Sequence, residues 1–402
     1  MTTLLIIGAG TDQVPAYERA HALGIQTVAI DYDPNAPAFS IAQYHYVVST
    51  KDIEEVVDTA KKVAETIGLN GVMTIGAEVS PTVAAVAASL NLPGVSPEVA
   101  LLTTNKCARA KRFMDAGVRF PNFSIVNQDN QQHALTYPLV IKPSDNSASR
   151  GVRIIENDNE LSQTLPEALK LSSDGSVILE EFIPGDQISI EGVVVENTLY
   201  VTAIADRNYS RNPYFYPLMV EDGGEMPTRH SQTIINKMCD GFAQAVKALS
   251  IHTGPTKGDL IISENGDVYI IEVTSRLSGG GFCSRVVPRV NGINIVDATI
   301  QLAVGRPVDT SLLKPKFSKG MCHRYYFHQP GKIKSITGFD TLKDKEGVVE
   351  VVVNQPFNIG QELAPTSYAN RLFYLITIAE SRAQAIELAN NAMDSVTIEV
   401  ES

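Results

Sequence analysis

Gly258–Gly281 reads GDLIISENGDVYIIEVTSRLSGGG, and its two halves, either side of Asn265-Gly266, decide how the rest of the chain is understood. Leu260–Ser263 and Val268–Val273 are strand-forming runs, and Asn-Gly between such runs is the strongest short-range hairpin signal. A type I′ turn there predicts that Glu264 faces Asp267, Ile262 faces Tyr269, Leu260 faces Ile271 and Asp259 faces Glu272. Two carboxylates opposed in this way stand ~5 Å apart at Cβ, where like charges destabilise a sheet. A hard divalent cation with oxygen ligands relieves the repulsion. So does solvent at an open sheet edge with lysines nearby. Thr274 and Arg276 follow on the same strand face, and then a glycine-rich loop. The hairpin alone leaves both readings open.

The chain has 402 residues, 44% of them hydrophobic, enough for two or three domains with a substantial core. A net charge of −12 argues against nucleic acid or an anionic membrane as the main partner. No apolar run approaches the ~20 residues that span a bilayer. The start, MTTLLIIGAG, lacks a basic segment and runs straight into a glycine turn, so a strand is expected there and not a signal peptide. Four scattered cysteines without a C-x-x-C pair fit reduced thiols and a cytoplasmic location.

Residues 1–100 alternate buried strands (Leu4–Ile7, Gln26–Asp31, Val72–Ile75) with helices (Val14–Leu23, Asp52–Ile67, Ser80–Leu90), an order that implies a parallel sheet wrapped by helices. Gly8-Ala9-Gly10 with Asp31 resembles half of a dinucleotide fingerprint, but Gln13 stands at the third glycine position, and a plain tight turn explains it too. Glu78 ends a strand where such sheets bind ligands, or caps the next helix. Leu101–Pro121 reads as a basic helix with Thr104 as N-cap, most of its cations being solvated. Leu139–Lys142 and Val152–Ile155 enclose a small-residue loop, Ser144–Gly151, whose N–H groups suit phosphate oxygens with Lys142 supplying charge. Val177–Phe182, a Pro184-Gly185 hinge and Gln187–Val195 follow. Residues 199–232, with Arg207, Arg211, Glu221 and His230, look too irregular for one element. Beyond the glycine loop, short strands and one helix make a small α+β lobe.

The order is an α/β segment, Lys142 before a small-residue loop, the hinge EEFIPG (Glu180–Gly185), and Asp259…Glu272-x-x-x-Arg276 before glycines. It resembles the ATP-grasp superfamily of carboxylate–amine ligases, in the branch of carbamoyl phosphate synthetase halves, biotin carboxylase and L-amino acid ligases. The resemblance implies an α/β and α+β multidomain fold: a parallel-sheet domain over 1–103, a two-lobed ATP-grasp domain over 104–305 with its hinge near 180–186, and a C-terminal α+β lobe over 306–402. It implies that Lys106 and Lys142 hold ATP, with Ser147 and Ser149 in the loop over the phosphates and Lys142 also catalytic. It implies that Glu180, Glu181, Phe182 and Ile183 read adenine, and that Asp186 or Gln187 meets ribose. Asp259 and Glu272 become magnesium ligands and Arg276 steadies an acyl phosphate. Two Mg2+ ions are implied, with Mn2+ as a substitute. The family's third ligand is an asparagine where this chain has Thr274, which offers only a hydroxyl.

The expected reaction is ATP-dependent amide formation from a small carboxylate and an amine, through an acyl phosphate, with ADP and phosphate released. Glu78, Arg207, Glu221, Ser278, Gly279 and Arg285 are the candidate substrate contacts. Bicarbonate as the carboxyl substrate is the main alternative; a nicotinamide oxidoreductase built on Gly8–Gly10 and a non-catalytic nucleotide-binding protein are the others. The partners expected are small molecules, with no nucleic acid or membrane, and a homodimer on the family's example.

Overall fold

The computed structural model describes residues 1–147, 149–210, 212–364 and 370–401, so Ala148 of the phosphate-loop candidate and Arg211 lie outside it. The chain opens with β1 (Thr3–Ile7), α1 (Val14–Ala22), β2 (Gln26–Asp31), β3 (Tyr44–Val47), α2 (Ile53–Ile67), β4 (Gly71–Met73) and α3 (Ser80–Ser89). Its strands run parallel in the order β3-β2-β1-β4. β3 escaped the sequence reading because, as a largely exposed edge strand, it has no apolar alternation to betray it.

The basic stretch expected as one helix is two, α4 (Pro97–Thr104) and α5 (Lys106–Asp115). Asn105, not Thr104, caps α5, accepting from Ala108 N, and Ser96 caps α4. A small antiparallel sheet follows, from β5 (Phe123–Asn127), β6 (Leu139–Pro143), β7 (Arg153–Ile155) and β8 (Ser176–Glu181), backed by α6 (Asp158–Lys170). Then come β9 (Gly185–Val195), β10 (Thr198–Arg207), the short α7 (Asn212–Phe215), β11 (Gly224–Met226), α8 (Gln232–Ala248), β12 (Gly254–Ser263) and β13 (Val268–Thr274). The first part of the stretch expected to be irregular is thus the regular strand β10, paired along β9. After α9 (Val287–Asn291) and α10 (Ile295–Ala303) the chain adds β14 (Gly320–Tyr325), β15 (Gly331–Thr337), β16 (Val348–Val353), β17 (Glu362–Leu363), β18 (Phe373–Ala379), α11 (Arg382–Asp394) and β19 (Thr397–Glu401).

Among the described residues, one sheet runs β13-β12-β9-β10-β11-β14-β18-β16, so strands on both sides of residue 305 share a single ladder. One face of it carries Ile188, Ile190, Leu260, Ile262, Ile270 and Val273 against Phe242 and Met238 of α8. The other carries the polar site at one end, and further along Val193, Ala203, Met226, Met321 and Ile376 join the core shared with α10 and the N-terminal sheet.

The hairpin itself departs from expectation twice, and the two departures cancel. Ser263 N donates to Asp267 O (2.9 Å) and Gly266 N to Ser263 O (2.8 Å), and of the Asn-Gly pair only Gly266 has positive φ. The loop is therefore Glu264-Asn265-Gly266, a three-residue turn closed by a glycine bulge. The pairs nearest it become Ile262↔Val268, Ile261↔Tyr269 and Leu260↔Ile270, one residue off the type I′ register. Carried on unbroken, this register would set Glu272 opposite Gly258 and on the α8 face. A bulge at Ile271 absorbs the extra residue and restores Asp259↔Glu272.

Candidate active site

Alternation along the strands places the polar groups. Asp259 pairs with Ser189 on one side and Glu272 on the other, and Lys257 with Glu191 and Thr274. Partners in an antiparallel ladder share a face, so Gln187, Ser189 and Glu191 of β9 line up beside Ile261, Asp259 and Lys257 of β12. Arg207 of β10 joins them, because Ala205, two residues before it, pairs with Ser189.

The opposed acids are partly buried among cations, Asp259 at 15% exposure and Glu272 at 32%. Lys257 Nζ lies 2.8 Å from Asp259 Oδ2, and an Arg207 guanidinium nitrogen 3.4 Å from the same oxygen. Burial works against ionisation of Asp259, but Lys257 and then Arg207 prevail and hold its carboxyl below the usual range. Burial likewise opposes Glu272, and Arg109, Lys106, Lys257 and Arg276 together bring it down to about 2. Arg109, on the helix expected to be a solvated face, is only 2% exposed; it donates to Thr103 O and sits 3.5 Å from Glu272. Nothing in the local pattern marks it, since the acid it serves is distant in sequence. Asp259 Oδ1 and the Thr274 hydroxyl are buried without a hydrogen-bond partner. An unpartnered carboxylate oxygen beside a second carboxylate is a donor set that suits a divalent oxygen-seeking ion. The residues present fit magnesium, with Asp259 and Glu272 as the anionic ligands.

Lys142, Glu180 and Glu181 lie on the small sheet of β5–β8, with Lys106 at the start of α5 beside it and Asp186 and Gln187 at the start of β9. Lys142 Nζ donates to Glu180 Oε2 at 2.5 Å, and Lys106 Nζ donates to Asn146 O at 2.6 Å at the mouth of the small-residue loop. Burial lowers the Lys106 ammonium from the ordinary lysine range. Arg150 donates to Ser147 O and Oγ, and Ser149 is exposed with φ 54°. Glu181 accepts from Asn122, while Phe182 and Ile183 lead from β8 into the hinge. Asp186 is tied to Arg229 and lies 3.4 Å from His230; its ladder partner Ile262 faces α8. Gln187 is the hinge residue on the side of Asp259.

The substrate candidates fall into two groups. Arg276 forms a two-pronged ion pair with Glu78 of the N-terminal domain and donates to Leu277 O. Ser278 donates through N and Oγ to Glu191, a fully buried acid that the sequence reading passed over. Burial raises the Glu191 carboxyl, and the Ser278 bonds only partly offset it. Gly280 N donates to Asp12, and Gly279 packs against Gly76, where a Cβ on Gly76 would stand only 2.8 Å from Gly279 Cα. The glycine loop's amides thus already face two protein carboxylates. Arg285 pairs with Glu350 of β16 and donates to Thr11 O. The second group is Arg207–Glu221 (2.6 Å) with His323, whose ring packs 4.5–4.6 Å from Tyr325 and Tyr374. Burial drives the His323 ring down to about 4.

The dinucleotide reading does not survive. Asp31 Oδ2 accepts from Ala9 N at 2.7 Å, closing the turn from below, and Gln13 fills the space against Gly8 and Gly10. Gly8–Gly10 is a tight turn that holds its own acid.

The chain matches the ATP-grasp domain family over residues 103–280, the ATP-grasp N-terminal domain over 17–94 and the L-amino acid ligase C-terminal domain 2 over 324–401. The chain belongs to the ATP-grasp superfamily. With membership comes the enzyme class, an ATP-dependent ligase. An uncharacterised protein of Sinorhizobium fredii is 23% identical over 98% of this ATP-grasp chain and 82% of its own. A formate-dependent phosphoribosylglycinamide formyltransferase of Wolinella succinogenes is 25% identical over 68% of this chain and 69% of its own. The crystal structure of an L-amino acid ligase from Bacillus licheniformis superposes with a TM-score of 0.85 at 23% identity, covering 100% of this chain and 99% of that one. Among the described residues no helix is long and apolar enough to cross a membrane.

Proposed function

We propose that this ATP-grasp protein joins a small carboxylate, most simply an amino acid, to an amine through an acyl phosphate. The observation that carries the reading is Asp259 opposed to Glu272 beneath Lys257, Arg109, Lys106 and Arg276. Phosphoryl transfer asks a protein mainly for positioning and charge neutralisation, and this cluster supplies both. Lys142 and Lys106 hold phosphates under the Ser144–Gly151 loop, Glu180–Ile183 reads adenine, and Gln187 meets ribose. Residues 104–305 make the nucleotide grasp, flanked by the domains over 1–103 and 306–402. Magnesium held by Asp259 and Glu272 offsets phosphate charge when bound.

The substrate carboxylate oxygen attacks the γ-phosphorus and ADP leaves. The amine nitrogen then attacks the acyl carbon, the C–O bond to phosphate breaks, and the nitrogen loses a proton. Arg276 neutralises the acyl phosphate, which requires Glu78 to give up its hold; that acid is then placed to take a substrate ammonium. The test is phosphate release from Mg·ATP across paired amino acids and hydroxy acids. Release that depends on both members of a pair supports the reading. No release with any pair refutes it, and release with bicarbonate alone replaces the carboxylate substrate with bicarbonate.

A further inference from the structure

Asp259 has two carboxylate oxygens, and the structure spends them differently. Oδ2 is held by Lys257 Nζ at 2.8 Å and approached by Arg207 at 3.4 Å, whereas Oδ1 is buried and unpartnered. Lys257 is itself anchored from two sides in the ladder: opposite Thr274 on β13 and opposite Glu191 on β9. Its side chain is 17% exposed, and that of Asp259 15%, so the contact is shielded from water and screened little by salt. Among the described residues no cluster of three or more His, Cys, Asp or Glu offers a metal site, so Asp259 and Glu272 have no third acid.

A pair of divalent ions about 4 Å apart needs carboxylates whose oxygens can be shared between them. Here half of Asp259 is already neutralised by a covalently tethered cation. At the position across the ladder from that cation, the chain carries a hydroxyl in place of a stronger ligand. We propose that the Lys257 ammonium does the work of a second divalent cation, so that the protein holds one metal ion, between Asp259 Oδ1 and Glu272. A fixed ammonium neutralises phosphate charge without needing ligands of its own, which makes Thr274 sufficient. The inference rests on the ligase reading above, because it presumes that ATP phosphates come to this site.

The probe is Mn2+ with a non-hydrolysable ATP analogue, bound to the full chain and counted by equilibrium dialysis and electron paramagnetic resonance. One ion per chain with an uncoupled spectrum is expected for the unmodified protein. The double substitution Lys257→Met, Thr274→Asn removes the ammonium and supplies an amide oxygen; two spin-coupled ions are expected. Thr274→Asn alone keeps Lys257 and is expected to stay at one. Two coupled ions in the unmodified protein, or in Thr274→Asn, overturn the role of Lys257 and leave the ligase reading intact. A double variant with unchanged far-UV circular dichroism that still binds one ion overturns it as well. Analogue-dependent binding of no ion at all overturns both.

Discussion

The Lys142–Glu180 pair gives a sharp test of how the nucleotide lobe is built. The side chains are 12% and 4% exposed and their charges 2.5 Å apart. At an effective dielectric of about 20 the Coulomb attraction is about 7 kcal/mol, and loss of hydration on both groups cancels most of it. The pair's net worth is therefore small, while removing one partner strands the other's charge at a cost of about 3–5 kcal/mol. Lys142 keeps some access to water, so Glu180→Met belongs at or below the low end of that range and Lys142→Met above it. Replacing both by Met leaves no buried charge and is expected to cost about 1 kcal/mol or less. The pair ties β6 to β8, so native-state hydrogen exchange of amides in those strands reads the loss locally. The Lys142→Met cost should exceed that of the double by at least about 2 kcal/mol. ATP binding should be lost in Lys142→Met and stay lost in the stable double variant, separating the structural role from the functional one. Costs that simply add, within about 0.5 kcal/mol, would refute the buried-pair argument.

Asp259→Asn and Glu272→Gln should each lower phosphate release by at least about 100-fold with an unchanged circular dichroism spectrum, and near-normal turnover in either would remove the metal assignment. His323 sits near pKa 4, below its ordinary value, so the unfolded chain takes up the proton first; stability should be unaffected above about pH 6.5 and fall from there towards pH 4. His323→Phe should flatten that slope in urea titrations, by at most about 3 kcal/mol, and an unchanged slope would show that other groups set it. Gly76→Ala puts a Cβ 2.8 Å from Gly279 Cα at a φ of 66°, so it should cost about 1–2 kcal/mol for the backbone alone and raise KM for the carboxylate substrate by moving the glycine loop. An unchanged KM would mean that the loop does not touch substrate.

Much of the fold was legible because its signals are local. Gln26–Asp31 matches the observed strand residue for residue, since a buried run bounded by turn formers needs no distant partner to be recognised. β3 was missed because an exposed edge has no apolar period to read, and β10 because its polar end, Asp206 and Arg207, was grouped with the loop that follows.

At the site, residue types in order are a property of the chain: Lys142 before a small-residue loop, a hinge, then two acids and an arginine before glycines. That was enough for the superfamily and for the opposition of Asp259 to Glu272. How the acids come to oppose each other was not, because a glycine-bulge turn and a bulge at Ile271 each shift the ladder by one residue, and which of them forms depends on packing Ile270 and Val273 against α8. The partners of the charges were equally hidden. Arg109 reaches Glu272 of β13 from α5, Glu78 reaches Arg276 from the segment between β4 and α3, and Glu191 of β9 holds Ser278 of the glycine loop. Ion pairs depend on distance in space, and only the folded chain converts separations of 87 to 198 residues into contacts of a few ångströms.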